Sequence, residues 1–372
     1  MIIDTAAFIT AKDRWQQDEM DDIELATQLS LLDNNDRGKA VPDDIVHEDE
    51  DLAKAIEESV RSSVPQSSRR NSDRRQSYQI ICDVCDGSIP KKEICKREFW
   101  NQHFCRRHVS DGTPICCGCM RLKGVNTEYI NLGDVRNICP DCFATSITNA
   151  RQKQSILDNV IEFLRLKDVE FKGHVPVFLV DRREMRRHTR RGVSTGMEHI
   201  QPVHPDSVVW GLTMFNPDES YAESVESLSR SGRNIRLEQR KYLLNHDSHI
   251  TVLILFGLPK IMTGAIMAHE LMHAWFRQLG VFHLEPKVEE GICQVIAHEW
   301  LDWFVVMDEE ASSSRSENAQ FTRNLKHTFK DLVEIDSSHA YGEGFRDAKW
   351  AFEKWGPHKV INHVVKYGTL PQ

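Results

Sequence analysis

The chain has 372 residues, 40% of them apolar and 28% charged, with a formal net charge of −9. That length supplies two or three domains with real cores, and the charge excludes a strongly basic nucleic-acid binder as the default reading. No apolar run approaches the roughly 20 residues a bilayer span requires, so neither nucleic acid nor membrane is an expected partner.

The charge is uneven. Residues 1–60 carry 17 acids and 5 bases, a local net of −12, which leaves the remaining 312 residues at +3. Asp4 and the lack of a basic then apolar leader predict no signal peptide. The expected compartment is reducing, namely the cytoplasm with the nucleus as a second location. Inside the acidic segment one pattern occurs twice. Asp18 to Asp22 precede Ile23, Ala26 and Ser30, and Glu48 to Asp51 precede Leu52, Ala55 and Ser59. On a helix, residues at offsets of three and seven share one face. The small Ala lets a partner surface approach closely, and the acids favour a helix N-terminus and a basic partner. Residues 18–31 and 48–61 resemble ubiquitin-interacting motifs. The resemblance implies short helices that bind ubiquitin and ubiquitinated proteins, with two linked sites suited to ubiquitin chains. Residues 61–78, rich in Ser and Arg and nearly free of apolar side chains, predict a flexible linker.

Residues 79–148 hold nine of the ten cysteines. Four two-residue-spaced knuckles run along the block: Cys82 and Cys85, Cys105 and His108, Cys116 and Cys119, Cys139 and Cys142. That spacing lets two ligands share a metal, and eight ligands make two closed tetrahedral zinc sites. The equal spacers predict sequential sites, Cys82, Cys85, Cys105 and His108 for one, Cys116, Cys119, Cys139 and Cys142 for the other. Cys117 is a less well-spaced alternative to Cys116, and Cys95 and His103 are left over. Sites without an open position supply stability and protein contacts rather than chemistry. The block resembles a LIM domain. It departs by placing seven residues between its second and third knuckles, where LIM domains have about two.

Residues 149–372 mix helical and strand-like patterns, the mark of an α+β domain. Helical spacing covers 155–166, 260–279, 287–306, 319–335, 344–354 and 357–367. Val175–Val180 and Ile250–Leu258 read as strands, and residues 181–240 show no clear pattern. Within 260–279 stands His269-Glu-Leu-Met-His273. Histidines four apart on a helix share a face and can hold one zinc, and Glu270 between them can take a proton from water. A catalytic zinc needs a third protein ligand and an open position. Glu290, 17 positions after His273, is placed to supply it, with its neighbour Glu289 as the alternative. The segment resembles the glutamate-zincin metallopeptidases, in which a later Glu followed by Gly completes the site. That likeness favours Glu290. In such enzymes an edge strand pairs with the substrate backbone, and Ile250–Leu258 suits either that role or a buried core strand. Tyr341 and His298 are candidates for the transition-state donor.

The combination of these features resembles the plant DA-one and DA-one-related family, on Ile254–Pro259, Ala268–Trp275, Val288–Gln294 and Tyr341–Phe345. The resemblance covers residues 18–372 except the linker. It implies a multidomain protein: ubiquitin-binding helices, a small LIM-like zinc domain and an α+β zincin-like metallopeptidase domain. It further implies a ubiquitin-activated zinc endopeptidase with one catalytic and two structural zincs. Its substrates would be regulatory proteins, with ubiquitin ligases as regulators or substrates, and it would limit seed and organ growth. Family members often carry a regular LIM domain ahead of the Cys82–Cys142 type of block, whereas here the linker runs straight into Cys82. The competing reading is a non-catalytic ubiquitin-binding adaptor. It requires about two zincs per chain where the peptidase requires about three.

Overall fold

The computed structural model describes residues 2–3, 80–194, 208–215, 221–231, 234–244, 249–311 and 317–372. The ubiquitin-motif residues Ile23, Ala26, Ser30, Leu52, Ala55 and Ser59, and the 61–78 linker, lie outside the described residues. The described residues between 80 and 372 form one compact unit together with the short strand β1 (Ile2–Ile3).

The zinc block is built from small antiparallel pairs that hold its knuckles. β2 (Ile80–Ile81) pairs with β3 (Ser88–Ile89), β4 (Ile94–Arg97) with β5 (Gln102–Cys105), and β6 (Ile130–Asn131) with β7 (Asn137–Ile138). Cys139 caps the short helix α1 (Pro140–Ala144), its sulfur accepting from the Cys142 N–H. Pro140 at the first helical position is pre-set for that start. The two halves differ in how they are buried. Cys82, Val84, Ile89, Cys95, Phe104 and Leu122 form a small core of their own. Cys116, Cys119, Cys139 and Cys142 belong instead to the large core of the following domain, along with Ile130, Leu132 and Ile138.

That domain begins with α2 (Ala150–Arg165), whose start is capped by the Asn149 side chain accepting from the Gln152 N–H. Next come β8 (Val177–Val180) and the Arg-rich α3 (Arg182–Ser194). β9 (Val208–Val209) pairs with β1. β10 (Gly211–Phe215), β13 (Ile250–Leu255) and β8 make a three-stranded sheet with β13 in the middle, antiparallel to β10 and parallel to β8. A long hairpin of β11 (Tyr221–Ser231) and β12 (Asn234–Leu243) stands beside the sheet. Every residue of β13 is buried and both its edges are hydrogen-bonded, so it is the core strand. The expectation that Ile250–Leu258 offers an edge to a peptide is therefore corrected. Apolar side chains on both faces demand cover on both sides, and the antiparallel edge belongs to β10.

The long helices follow. α4 (Lys260–Gln278) starts after Pro259 and stops at Leu279, with Gly280 at φ +78° where a side chain would be strained. It packs on the sheet, on α2 and on α5 (Pro286–Ala311), which explains why nearly all its residues are buried. α6 (Glu317–Glu334), a π-helical turn at His339–Glu343, α7 (Gly344–Trp355) and α8 (Pro357–Tyr367) complete the domain. Gly291 of α5 and Gly344 of α7 meet where these helices cross. A Cβ on Gly291 would fall 2.2 Å from the Gly344 carbonyl oxygen, and one on Gly344 would fall 2.3 Å from that of Lys287.

Candidate metal centres

Three groups of metal-competent side chains converge among the described residues. They are Cys82, Cys85, Cys105 and His108; Cys116, Cys119, Cys139 and Cys142; and His269, His273 and Cys293, with Glu290 alongside.

The two cysteine groups have the dimensions of zinc sites. The sulfurs of Cys85 and Cys105 stand 3.9 Å apart, and those of Cys119 and Cys139 stand 3.7 Å apart. A tetrahedron with zinc–sulfur bonds of about 2.3 Å has edges of about 3.8 Å, whereas a disulfide would bring sulfurs to about 2.05 Å. His108 has its Nε2 buried with no hydrogen-bond partner, facing the first group, while its Nδ1 lies 2.7 Å from Asp111 Oδ2. That is how a carboxylate aims a ligating imidazole. Asp111 comes from the extra residues between the second and third knuckles, so the departure from LIM spacing has a physical use here. Arginines face the sulfurs from outside. Arg107 Nη2 is 2.9 Å from Cys85 Sγ, and Arg121 reaches Cys119 Sγ at 3.1 Å and Cys139 Sγ at 3.2 Å. Cys116 rather than Cys117 enters the second group, and Cys95 and His103 join neither.

The third group forms where α4 meets α5. His269 Nε2 and His273 Nε2 are 3.2 Å apart, and Glu290 Oε2 is 3.1 Å from the first and 3.4 Å from the second. Bonds of about 2.0 Å to a tetrahedral ion give edges of about 3.3 Å. Glu290 Oε2 is buried and makes no hydrogen bond. Atoms packed this closely away from water need positive charge among them, from protonated imidazole or from a metal ion. Burial alone would push the Glu290 carboxyl up, but His273 and His269 beside it hold it well below the usual range. Glu289 takes a different part. It accepts from His273 Nδ1 at 2.7 Å and from Arg277 Nη2 at 2.8 Å, which leaves His273 Nε2 facing the site. The structure thus separates two neighbouring carboxylates by role, Glu290 at the cluster and Glu289 behind it.

Glu270 is buried beside these atoms and is held by the edge strand. Thr213 Oγ1 lies 2.8 Å from Glu270 Oε2 and 2.8 Å from the Glu270 carbonyl oxygen. Gly211 permits this approach, since a Cβ there would stand 2.6 Å from Glu270 Cγ and from Oε1. Tyr341, on the π-helical turn, is half-buried, and its hydroxyl is pushed well above the ordinary value by desolvation and by the nearby Glu290 and Glu270 carboxylates. His298 stands elsewhere, 2.8 Å from Glu334 Oε1 and packed against the Phe345 ring. Sequence reasoning missed Gly211, Thr213, Arg277, Asp111 and Cys293. Cys293 alone carried a usable signal, being one helical turn beyond Glu290.

The arrangement defines an α+β protein whose Cys/His clusters can hold metal at three places, the third flanked by a buried carboxylate. A family model described as DA1-like, Protein DA1, matches residues 167–367. The chain is 34% identical over 319 residues to Protein DA1 of Arabidopsis thaliana, covering 80% of this chain and 58% of the relative. It is 33% identical over 320 residues to Protein DA1-related 1 of the same plant, covering 80% and 56%. To the LIM domain-containing protein HDR3 of Oryza sativa subsp. japonica it is 31% identical over 324 residues, covering 80% and 63%. No solved structure matches the chain. The chain belongs to the DA1-like family, and it spans between 56% and 63% of the length of these relatives.

Proposed function

We propose that this protein is a zinc endopeptidase that cleaves regulatory proteins, is engaged by ubiquitin through residues 18–31 and 48–61, and is switched on by ubiquitination. The observation that carries the catalytic part is the convergence of His269, His273 and Glu290 at 3.1–3.4 Å beside the buried Glu270. Membership of the DA1-like family supports the same reading, as does the word LIM in one relative's name for the Cys82–Cys142 block.

His269, His273 and Glu290 would hold the catalytic zinc, and the two cysteine groups would hold structural zincs. A zinc ion bound there supplies Lewis acidity toward water and a peptide carbonyl. The substrate backbone lies extended along β10, the antiparallel edge of the sheet, and pairs with it as an added strand. Glu270, its carboxylate positioned by Thr213, takes a proton from the attacking water and returns it to the leaving amine. Tyr341 donates to the oxygen on which negative charge develops. Glu289 and Arg277 keep His273 in place throughout. By the family likeness the protein works in the cytoplasm, with the nucleus as a second location, and limits cell proliferation and organ growth, with ubiquitin ligases as regulators or substrates.

The test uses the full chain, ubiquitinated and incubated with candidate substrates. Glu270→Gln should lower cleavage by at least about 100-fold with three zincs per chain retained. Equal cleavage by native protein and Glu270→Gln overturns the catalytic reading and leaves the adaptor. Ala26→Arg combined with Ala55→Arg should abolish ubiquitin-chain binding without altering zinc content. Persistent binding overturns the receptor half.

A further inference from the structure

The outer edge of the sheet runs past Glu270 in both directions. The Leu255 N–H donates to the Trp210 carbonyl at 2.8 Å, which turns Trp210 toward β13. Backbone groups alternate between the two edges of a strand, so Val209 and Gly211 turn to the outer edge. There β1 pairs antiparallel with β9, Ile2 opposite Val209 and Ile3 opposite Val208. That pairing fixes a direction. A chain lying this way runs its N-terminal side toward Gly211 and Thr213, the two residues set against Glu270, and on toward Phe215. Phe215 is two residues beyond Thr213, so both side chains leave the same face of β10. Phe282 comes from the segment that turns back at Gly280 after α4 and packs on Phe215, with ring centroids 5.0 Å apart and planes tilted by 58°. Phe282 is 43% exposed and Phe215 is half-buried. An aromatic pair that served only the core would be closed over, whereas this one shows apolar surface at the end of the edge strand.

We infer that Phe215 and Phe282 form a specificity subsite for an apolar side chain on the N-terminal side of the scissile bond. This rests on the endopeptidase reading and deepens it by naming what the substrate carries. A substrate that takes the direction of β1 along β9 and β10 sets its reacting bond opposite Gly211–Thr213, where Glu270 stands. Each residue of an extended peptide advances about 3.4 Å, so the residue opposite Phe215 lies about three positions ahead of that bond. Cross-strand neighbours on one face have their Cβ atoms about 5 Å apart. The side chain opposite Phe215 therefore falls against its ring, with Phe282 alongside. A Leu, Met, Phe or Tyr placed there removes apolar surface of its own and of both rings from water. An Asp or Glu there gives up its water to two ring faces, which is unfavourable.

The experiment incubates the ubiquitinated full chain with a mixed peptide library and reads the cleaved bonds by mass spectrometry. Cleavage should select Leu, Met, Phe or Tyr about three residues before the cut. Phe282→Ala, a change at an exposed side chain, should erase that selection. It should bring the preferred peptide down to the level of its counterpart with Gly at that position, about a tenfold loss in kcat/KM. Phe215→Ala should do the same. Binding gives a second reading that does not depend on turnover. On Glu270→Gln the preferred peptide should bind about tenfold more tightly than its Gly counterpart, measured by fluorescence anisotropy, and adding Phe282→Ala should remove the difference. Cleavage without selection ahead of the cut, or selection that survives both Phe variants, overturns the subsite. Absence of any cleavage by the native chain overturns the endopeptidase reading and the subsite with it, a result distinct from cleavage without selection.

Discussion

Glu289 and Gly211 show how single residues tune this centre without touching the reacting atoms. Glu289 fixes His273 through Nδ1 and is itself braced by Arg277. Such partners set ring orientation and basicity, and losing one typically weakens metal binding about 10–100-fold. Glu289→Ala should therefore lower affinity at the third centre by that factor while both cysteine groups keep their metal, as read by competition with a graded chelator. Gly211→Ala makes a different prediction. The new methyl would stand 2.6 Å from the Glu270 carboxylate and must displace it. A misplacement of about 1 Å can cost about 100-fold in rate. Cleavage should fall by that order with metal content unchanged, and a drop in metal content instead would show that the strand supports the ligands. At this scale the sequence is legible only where chemistry is contiguous. His269, Glu270 and His273 sit within one helical turn and announce themselves. Gly211 and Thr213 lie more than fifty positions away and reach Glu270 only because β10 forms the sheet edge.

Among the secondary elements, the long helices are readable because each is a long run with helical apolar spacing and no internal proline, whether it buries one stripe, as α2 does, or nearly every face, as α4 does. The strands between 208 and 243 are not, because much of that stretch is a polar hairpin. β12 reads Asn-Ile-Arg-Leu-Glu-Gln-Arg-Lys-Tyr-Leu, with exposed charges from Arg236 to Lys241 that hide its alternation. The crossing of α5 and α7 is also silent in sequence, although it orders the centre. α5 carries Glu289, Glu290 and Cys293, and the π-helical turn before α7 carries Tyr341. Gly291→Ala places a methyl 2.2 Å from the Gly344 carbonyl and must part the helices. Overpacking of this kind costs about 1–3 kcal/mol. The melting temperature should drop accordingly, with cleavage falling further than stability alone explains. α3 offers a pH test. Burial pushes the Glu184 carboxyl up, but Arg187, His188 and the Glu223 N–H, the last two at 3.2 and 2.9 Å, hold it far below the ordinary range. A depressed carboxyl contributes stability above its unfolded value of about 4.3 and loses it as pH falls toward the folded value. Glu184→Gln should therefore be less stable than native at neutral pH. The gap should close as acid protonates the native residue, and a gap that stays constant with pH would contradict it.

For the whole molecule, the division into a Cys/His block and an α+β domain at residue 149, natural from cysteine spacing, does not coincide with the division of the cores. The second cysteine group shares its core with the sheet and α4, while the first has a small core of its own. Contacts to the turn before α4 follow the same line, although Trp100 of the first half reaches α6, its Nε1 donating to Thr328 Oγ1 at 2.9 Å. Arg136 Nη1 donates to the Phe256 carbonyl at 2.8 Å, the Lys260 N–H donates to the Thr145 carbonyl at 3.0 Å, and Ser146 Oγ reaches the Gly257 carbonyl at 3.3 Å. The second cysteine group thus braces the turn from which the HExxH helix departs. Spacing could not reveal this, because knuckles report which ligands share a metal and not what the folded knuckle leans on. A structural zinc in a small finger contributes about 10–16 kcal/mol, as large as the whole stability of a typical domain at about 5–15 kcal/mol. Cys139→Ser should consequently lower the melting temperature of the entire 80–372 unit and loosen the third centre, seen as faster metal loss from it. Cys85→Ser should release one zinc and expose its own small core to proteolysis, leaving the main transition and the third centre as they were. If both variants affect the main transition equally, the two halves act as one module, and the support given to α4 comes from the block as a whole.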